Sequence, residues 1–101
     1  MRILVVDDHE LIRAGLSDAL TKNGFEIIGE ASSVAQALAM LNQYKPEITL
    51  VDINLGASSG IDLIEQAIAS KSGSKFIVVK LTTDILVHTI AFSNTKTILR
   101  D

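Results

Sequence analysis

Two places in this 101-residue chain set carboxylates where they could do chemistry. Asp7 and Asp8 close the aliphatic run 3–6, and Asp52 closes the run 48–51. An aspartate at a strand end is often no more than a turn or capping residue. Carboxylates at the ends of two such runs are harder to dismiss, because neighbouring runs would bring the three side chains together. Carboxylates held that close repel one another unless something positive stands between them. A hard divalent cation such as Mg2+ meets that need. It takes oxygen ligands, keeps several waters, and commonly uses one or two carboxylates together with phosphate oxygens. A carboxylate is also a nucleophile toward phosphorus, giving an aspartyl phosphate. Metal and nearby cations offset the charge that builds up during such a transfer.

The elements that must position these groups alternate along the chain. The runs 3–6, 48–51 and 76–79 are short, rich in Val and Ile, and lack polar alternation. Strands buried on both faces of a parallel sheet read this way. A weaker strand covers 25–29, and a poor one 95–99. Between them lie amphipathic segments. Ile12, Leu16, Ala19 and Leu20 share a helical face that Asn23-Gly24 ends. Val34, Leu38 and Leu41 form a second stripe, with Ser33 and Gln36 spaced as a capping box. Pro46 punctuates the loop that follows. Ile61, Ile64 and Ile68 form a third stripe after Gly60, and a fourth helix is expected over 84–92, with Leu86 and Ile90 on one side.

The resulting order, βαβαβαβαβ, predicts one α/β domain over 1–101 with a doubly wound parallel sheet and right-handed crossovers. In the flavodoxin-like strand order 2-1-3-4-5, strands one and three are neighbours. Ligands of such sheets bind outside the carboxyl ends of the strands, at the switch point of the order. Asp7, Asp8 and Asp52 then converge at one edge.

Composition removes several function classes. Twelve acidic against nine basic residues give a net charge of −3, so this segment has no basic surplus for nucleic acid. The hydrophobic fraction of 48% makes it a core-forming chain. The absence of cysteine removes disulfides and thiolate-bound metals. No apolar stretch approaches the roughly 20 residues that span a bilayer, and a cytoplasmic location is the expectation. No glycine-rich phosphate loop follows the first strand, which argues against a nucleotide site. His9 follows the acidic pair. An imidazole there could ligate metal, but without a second nearby histidine the plainer reading is a partly exposed residue at a helix start.

The motifs resemble the receiver domains of two-component response regulators, which have a CheY-like fold. Met1-Arg2-Ile3-Leu4-Val5-Val6-Asp7-Asp8-His9-Glu10 is similar to the family's opening strand and acidic pair. Leu50-Val51-Asp52-Ile53-Asn54-Leu55, with Gly60 and Leu63, is similar to its phosphorylation strand. Gly15-Leu16 and Gly29-Glu30-Ala31 resemble the subfamily that carries a LuxR-type DNA-binding domain downstream. The good match covers 1–79. It implies that Asp52 accepts phosphate from a sensor histidine kinase, and that Asp8 binds Mg2+ directly. Asp7 would bind it directly or through water. The Asn54 carbonyl would complete the protein ligands, while its side chain would influence hydrolysis of the phosphate.

Beyond residue 79 the sequence departs from the family pattern. Lys80 stands where the family places a Ser or Thr switch, and Thr82 fills that role only if the strand is longer than usual. Arg100 replaces the family's lysine at the end of the fifth strand; a planar fork replaces a point charge. Thr97 takes the place of the aromatic switch residue. The family's last helix has no counterpart before Asp101, and an uncovered apolar strand face invites a homodimer. Two functions therefore compete: a phosphoacceptor that is not a conventional enzyme, and a degenerate receiver that works as an interaction or dimerisation module. A flavodoxin-like flavin carrier would want a Ser/Thr-rich loop after the first strand. A haloacid-dehalogenase-type phosphatase would want Asp-x-Asp, and here the aspartates are adjacent.

Overall fold

The computed structural model describes residues 1–56, 58–81 and 87–92. The elements are β1 (Arg2–Val6), α1 (Glu10–Lys22), β2 (Glu26–Ala31), α2 (Val34–Tyr44), β3 (Ile48–Asp52), β4 (Asn54–Leu55), β5 (Ser58–Ser59), α3 (Gly60–Ala69), β6 (Lys75–Leu81) and β7 (Val87–Phe92). The main sheet has the order β2-β1-β3-β6-β7. Its first four strands pair in parallel, with Val6 opposite Val51 and Asp52 opposite Val79. Through its first four strands this is the doubly wound, flavodoxin-like arrangement that the alternating elements predict.

Burial explains the aliphatic runs: β1 is buried on both faces, and β3 and β6 are fully buried on one and partly on the other. Leu4, Val6, Val51, Phe76 and Val78 form one cluster with Ala37 and Leu41 of α2 and with Leu63, Ile64 and Ala67 of α3. Ile3 and Val5, alternating with Leu4 and Val6, are buried as well. Thr49 is fully buried in β3 and bonds the Ser74 hydroxyl at 2.8 Å, so neither oxygen is orphaned.

The helix ends hold two departures from expectation. Ser33 Oγ accepts from Gln36 N, but the Gln36 side chain accepts from the backbone and hydroxyl of Ser32, so the expected box is half built. A complete box stands at α3, where Ser59 and Asp62 cap reciprocally. On α1, Ile12, Leu16 and Leu20 are half-buried, while Ala19 is exposed. Asn23 and Gly24, at φ +88°, end that helix as expected.

The expected fourth helix is corrected over its main part: Val87–Phe92 is a strand, antiparallel to β6, with Val79 opposite Thr89. Two physical reasons favour it. The segment is rich in β-branched and aromatic residues. Only residues 82–86 separate it from β6, enough for an antiparallel return but far short of the dozen or so residues of a parallel crossover. The fifth position of the sheet is thus filled by an antiparallel strand instead of the expected parallel one. The strand expected over 95–99 lies outside the described residues.

Candidate metal and phosphoryl site

The site is built where β1 and β3 end side by side. Val6 pairs with Val51, so the residues that follow each of them meet at one sheet edge. Asp7 N donates to the Ala31 carbonyl at 3.0 Å, which ties the end of β1 to the end of β2. Asp7 is 2% exposed, and its Oδ1 accepts from His9 N at 2.8 Å. Asp8 is partly exposed. Asp52 accepts on Oδ1 from Asn54 N at 3.2 Å.

Carboxylate oxygens of Asp7, Asp8 and Asp52 and a ring nitrogen of His9 all lie within 4.8 Å of one another. His9 Nδ1 is 3.0 Å from Asp8 Oδ1, 3.3 Å from Asp7 Oδ1 and 3.7 Å from Asp52 Oδ2. Asp8 Oδ1 is sealed from solvent yet accepts no hydrogen bond. A solvent-sealed oxygen with the His9 ring as its ion-pair neighbour, beside two further carboxylates, is a donor set suited to a hard divalent cation.

Electrostatics follow from the crowding. Burial pushes the Asp52 carboxyl above its ordinary value; the Asn54 N–H opposes that shift, while Asp7 and Asp8 reinforce it. The charge of Asp8, then the hydrogen bond that the His9 ring donates to Asp7, raise His9 above the ordinary histidine value.

The loop after β3 is shaped by two glycines. A Cβ on Gly60 would fall on the Asp52 carbonyl oxygen and 2.8 Å from Val51 Cγ1, so α3 starts against the strand only with glycine there. Gly60 N donates to the Ile53 carbonyl at 2.8 Å. Gly56 has φ +62°, a left-handed conformation that glycine adopts without strain, and its missing Cβ would stand 3.7 Å from Asp8 Oδ2.

The structure thus unites Asp7, Asp8 and Asp52, the three residues singled out from the sequence. Asn54 adjoins them through its backbone N–H, and its own side chain is in an exposed position. Thr82 and Arg100 lie outside the described residues. Sequence reasoning underrated His9 and missed Arg13. His9 is exposed at the start of α1, as expected, but its ring points among the carboxylates. Arg13 donates to the Asp7 carbonyl at 2.8 Å and to Glu30 at 3.1 Å, joining α1 to the ends of β1 and β2. The available signal was spacing: a cation four residues after a helix-start histidine stands one turn from the acidic pair. An open groove of about 610 Å³ between the C-terminal ends of α2 and α3 contains none of the carboxylates and lies at the opposite edge of the sheet.

The family model for the response regulator receiver domain matches residues 3–95. Chemotaxis protein CheY of Thermotoga maritima is 36% identical over 77 residues, covering 76% of this chain and 64% of the relative. Among solved structures, the signal receiver domain of NarL from Mycobacterium tuberculosis superposes with a TM-score of 0.74 at 26% identity, over 78% of this chain and 64% of the other. The response regulator TrrA of Thermotoga maritima, solved in complex with Mg2+ and BeF, gives 0.73 at 29% identity, over 82% and 71%. The chain therefore spans less than two thirds of the length of the CheY relative.

Proposed function

We propose that this chain, which belongs to the response regulator receiver domain family, accepts a phosphoryl group on Asp52 from a sensor histidine kinase with Mg2+ bound beside it. The observation that carries this reading is the convergence of Asp7, Asp8 and Asp52 at the joined ends of β1 and β3. In the transfer, a carboxylate oxygen of Asp52 attacks phosphorus, the bond between phosphorus and the donor's imidazole nitrogen breaks, and an acyl phosphate forms. Asp7, Asp8, Asp52 and the carbonyl of Asn54 would hold the metal. Mg2+, when bound, neutralises the carboxylates and the incoming phosphoryl oxygens. The Asn54 N–H on Asp52 Oδ1 leaves Oδ2 facing the cluster as the attacking atom.

Receiver domains are signalling modules and not classical enzymes, and this chain is read as one. Thr82 as the switch residue and Arg100 as the phosphate partner belong to the same proposal and rest on the family pattern. A kinase as phosphoryl donor, a homodimer as the assembled form, no direct contact with nucleic acid by this segment, and a cytoplasmic site of action complete it. No helix among the described residues is long and apolar enough to cross a membrane.

The test is incubation with Mg2+ and acetyl phosphate, read by intact mass. One added phosphoryl group, absent in Asp52→Asn, is the expected result. No gain by folded protein would sink the proposal.

A second reading has one observation in its favour. Residues 87–92, expected from the sequence as a helix, instead form the antiparallel edge strand β7 beside β6. A degenerate receiver that keeps the fold and acts as an interaction or dimerisation module would show such a change. Normal capture of phosphate with no change of association state would favour it.

A further inference from the structure

We infer that His9 is a nitrogen ligand of the acidic pocket, so that the site takes borderline ions such as Zn2+ in addition to Mg2+. The inference rests on the metal-site reading above and deepens it. Three observations carry it.

The first is where the imidazole is aimed. His9 is the N-cap residue of α1, but its side chain makes no capping hydrogen bond. Its backbone is fixed by the hydrogen bond from N to Asp7 Oδ1 at 2.8 Å, and the ring turns toward the carboxylates.

The second is spacing. Donor atoms about 2.1 Å from one ion lie about 3.0 Å apart at right angles and about 3.4 Å apart at tetrahedral angles. His9 Nδ1 stands 3.0, 3.3 and 3.7 Å from oxygens of Asp8, Asp7 and Asp52. In the metal-free chain these contacts are a hydrogen bond and ion pairs of the ring with the carboxylates, so a cation that displaces the Nδ1 proton meets donors already gathered.

The third is the chemistry of the donor set. Three carboxylates alone favour hard ions, whereas imidazole suits Zn2+, Ni2+ and Co2+. The His9 side chain is 62% exposed, so the histidine side of the pocket opens to solvent, with room for water or a phosphoryl oxygen.

The experiment titrates the full chain separately with Zn2+ and with Mg2+, followed by calorimetry and by nitrogen NMR of the imidazoles. The variants are His9→Asn, which keeps a good helix N-cap, His88→Asn and Asp52→Asn. Loss of a ligand should cost at least as much as loss of an outer-shell partner, so the preference for Zn2+ over Mg2+ is expected to fall by about tenfold or more in His9→Asn. His88→Asn should leave both affinities unchanged, and Asp52→Asn should weaken both. The His9 Nδ1 resonance should move with Zn2+ in the wild type.

An unchanged preference in His9→Asn, or a stationary Nδ1 resonance at saturating Zn2+, would overturn the inference while leaving the Mg2+ site intact. Failure of the folded wild type to bind either ion would remove the metal site itself, and His9's role with it.

Discussion

At the residue scale, the site is a balance between repulsion and the few groups that offset it. Asp52 and His9 both have proton affinities raised in the folded chain. For a group raised in this way, the favourable contribution is complete below its unfolded value and is lost as pH rises through the folded one. For Asp52 that loss starts just above 3.8, and for His9 just above 6.5. Metal-free protein should therefore lose stability with rising pH across both windows, as urea denaturation at a series of pH values will show. Asp52→Asn should remove the lower step and raise metal-free stability at neutral pH; His9→Asn should remove the upper one.

Arg13 supports the acidic loop from behind. Arg13→Lys should weaken Mg2+ binding nearly as much as Arg13→Met, because a point charge cannot serve the Asp7 carbonyl and Glu30 together as the fork does. Calorimetric titration of both variants tests this.

The two glycines of opposite character, Gly60 and Gly15, give a paired check. Gly60→Ala forces a methyl onto the Asp52 carbonyl and should cost about 1–3 kcal/mol. Gly15→Ala, in open space inside α1, should stabilise by about 1 kcal/mol. Denaturant midpoints would distinguish them.

At the scale of elements, the strands that hold the site follow from their own composition. The run before Asp7 is buried on both faces and the run before Asp52 is buried on one and half-buried on the other, and parallel pairing then brings their ends into line. α3 begins where Ser59 and Asp62 cap it, so Ser59→Ala should cost about 1 kcal/mol in urea denaturation. The segment 87–92 shows the limit of periodicity. Its Leu86 and Ile90 spacing fits a helix, yet the backbone completes a sheet edge beside β6. Backbone NMR contacts between residues 79 and 89 are the expected signature; sequential helical contacts through 87–92 would contradict the strand.

For the whole molecule, a cation bound at this edge would join the ends of β1 and β3, whose carboxylates repel one another there. Binding to the folded state alone should stabilise it by mass action, by about 2.7 kcal/mol when Mg2+ is present at about 100 times its Kd. Thermal melts with and without Mg2+ should show this upward shift in the wild type and a much smaller one in Asp52→Asn.

The sequence by itself determined the alternation of the main strands and helices through residue 81, the parallel core of the sheet, and the place of Asp7, Asp8 and Asp52 at strand ends. Those features are local, carried by aliphatic runs and their punctuation. Tertiary structure decided what depends on direction in space. It turned the His9 ring into the pocket, set Arg13 against the Asp7 carbonyl, and required glycine at 60 because α3 starts against the Asp52 backbone. It also decided that 87–92 pairs as a strand, since helical spacing within the segment does not register the edge of β6 that stands beside it. Periodicity records which residues prefer burial; it does not record which backbone will be there to meet them.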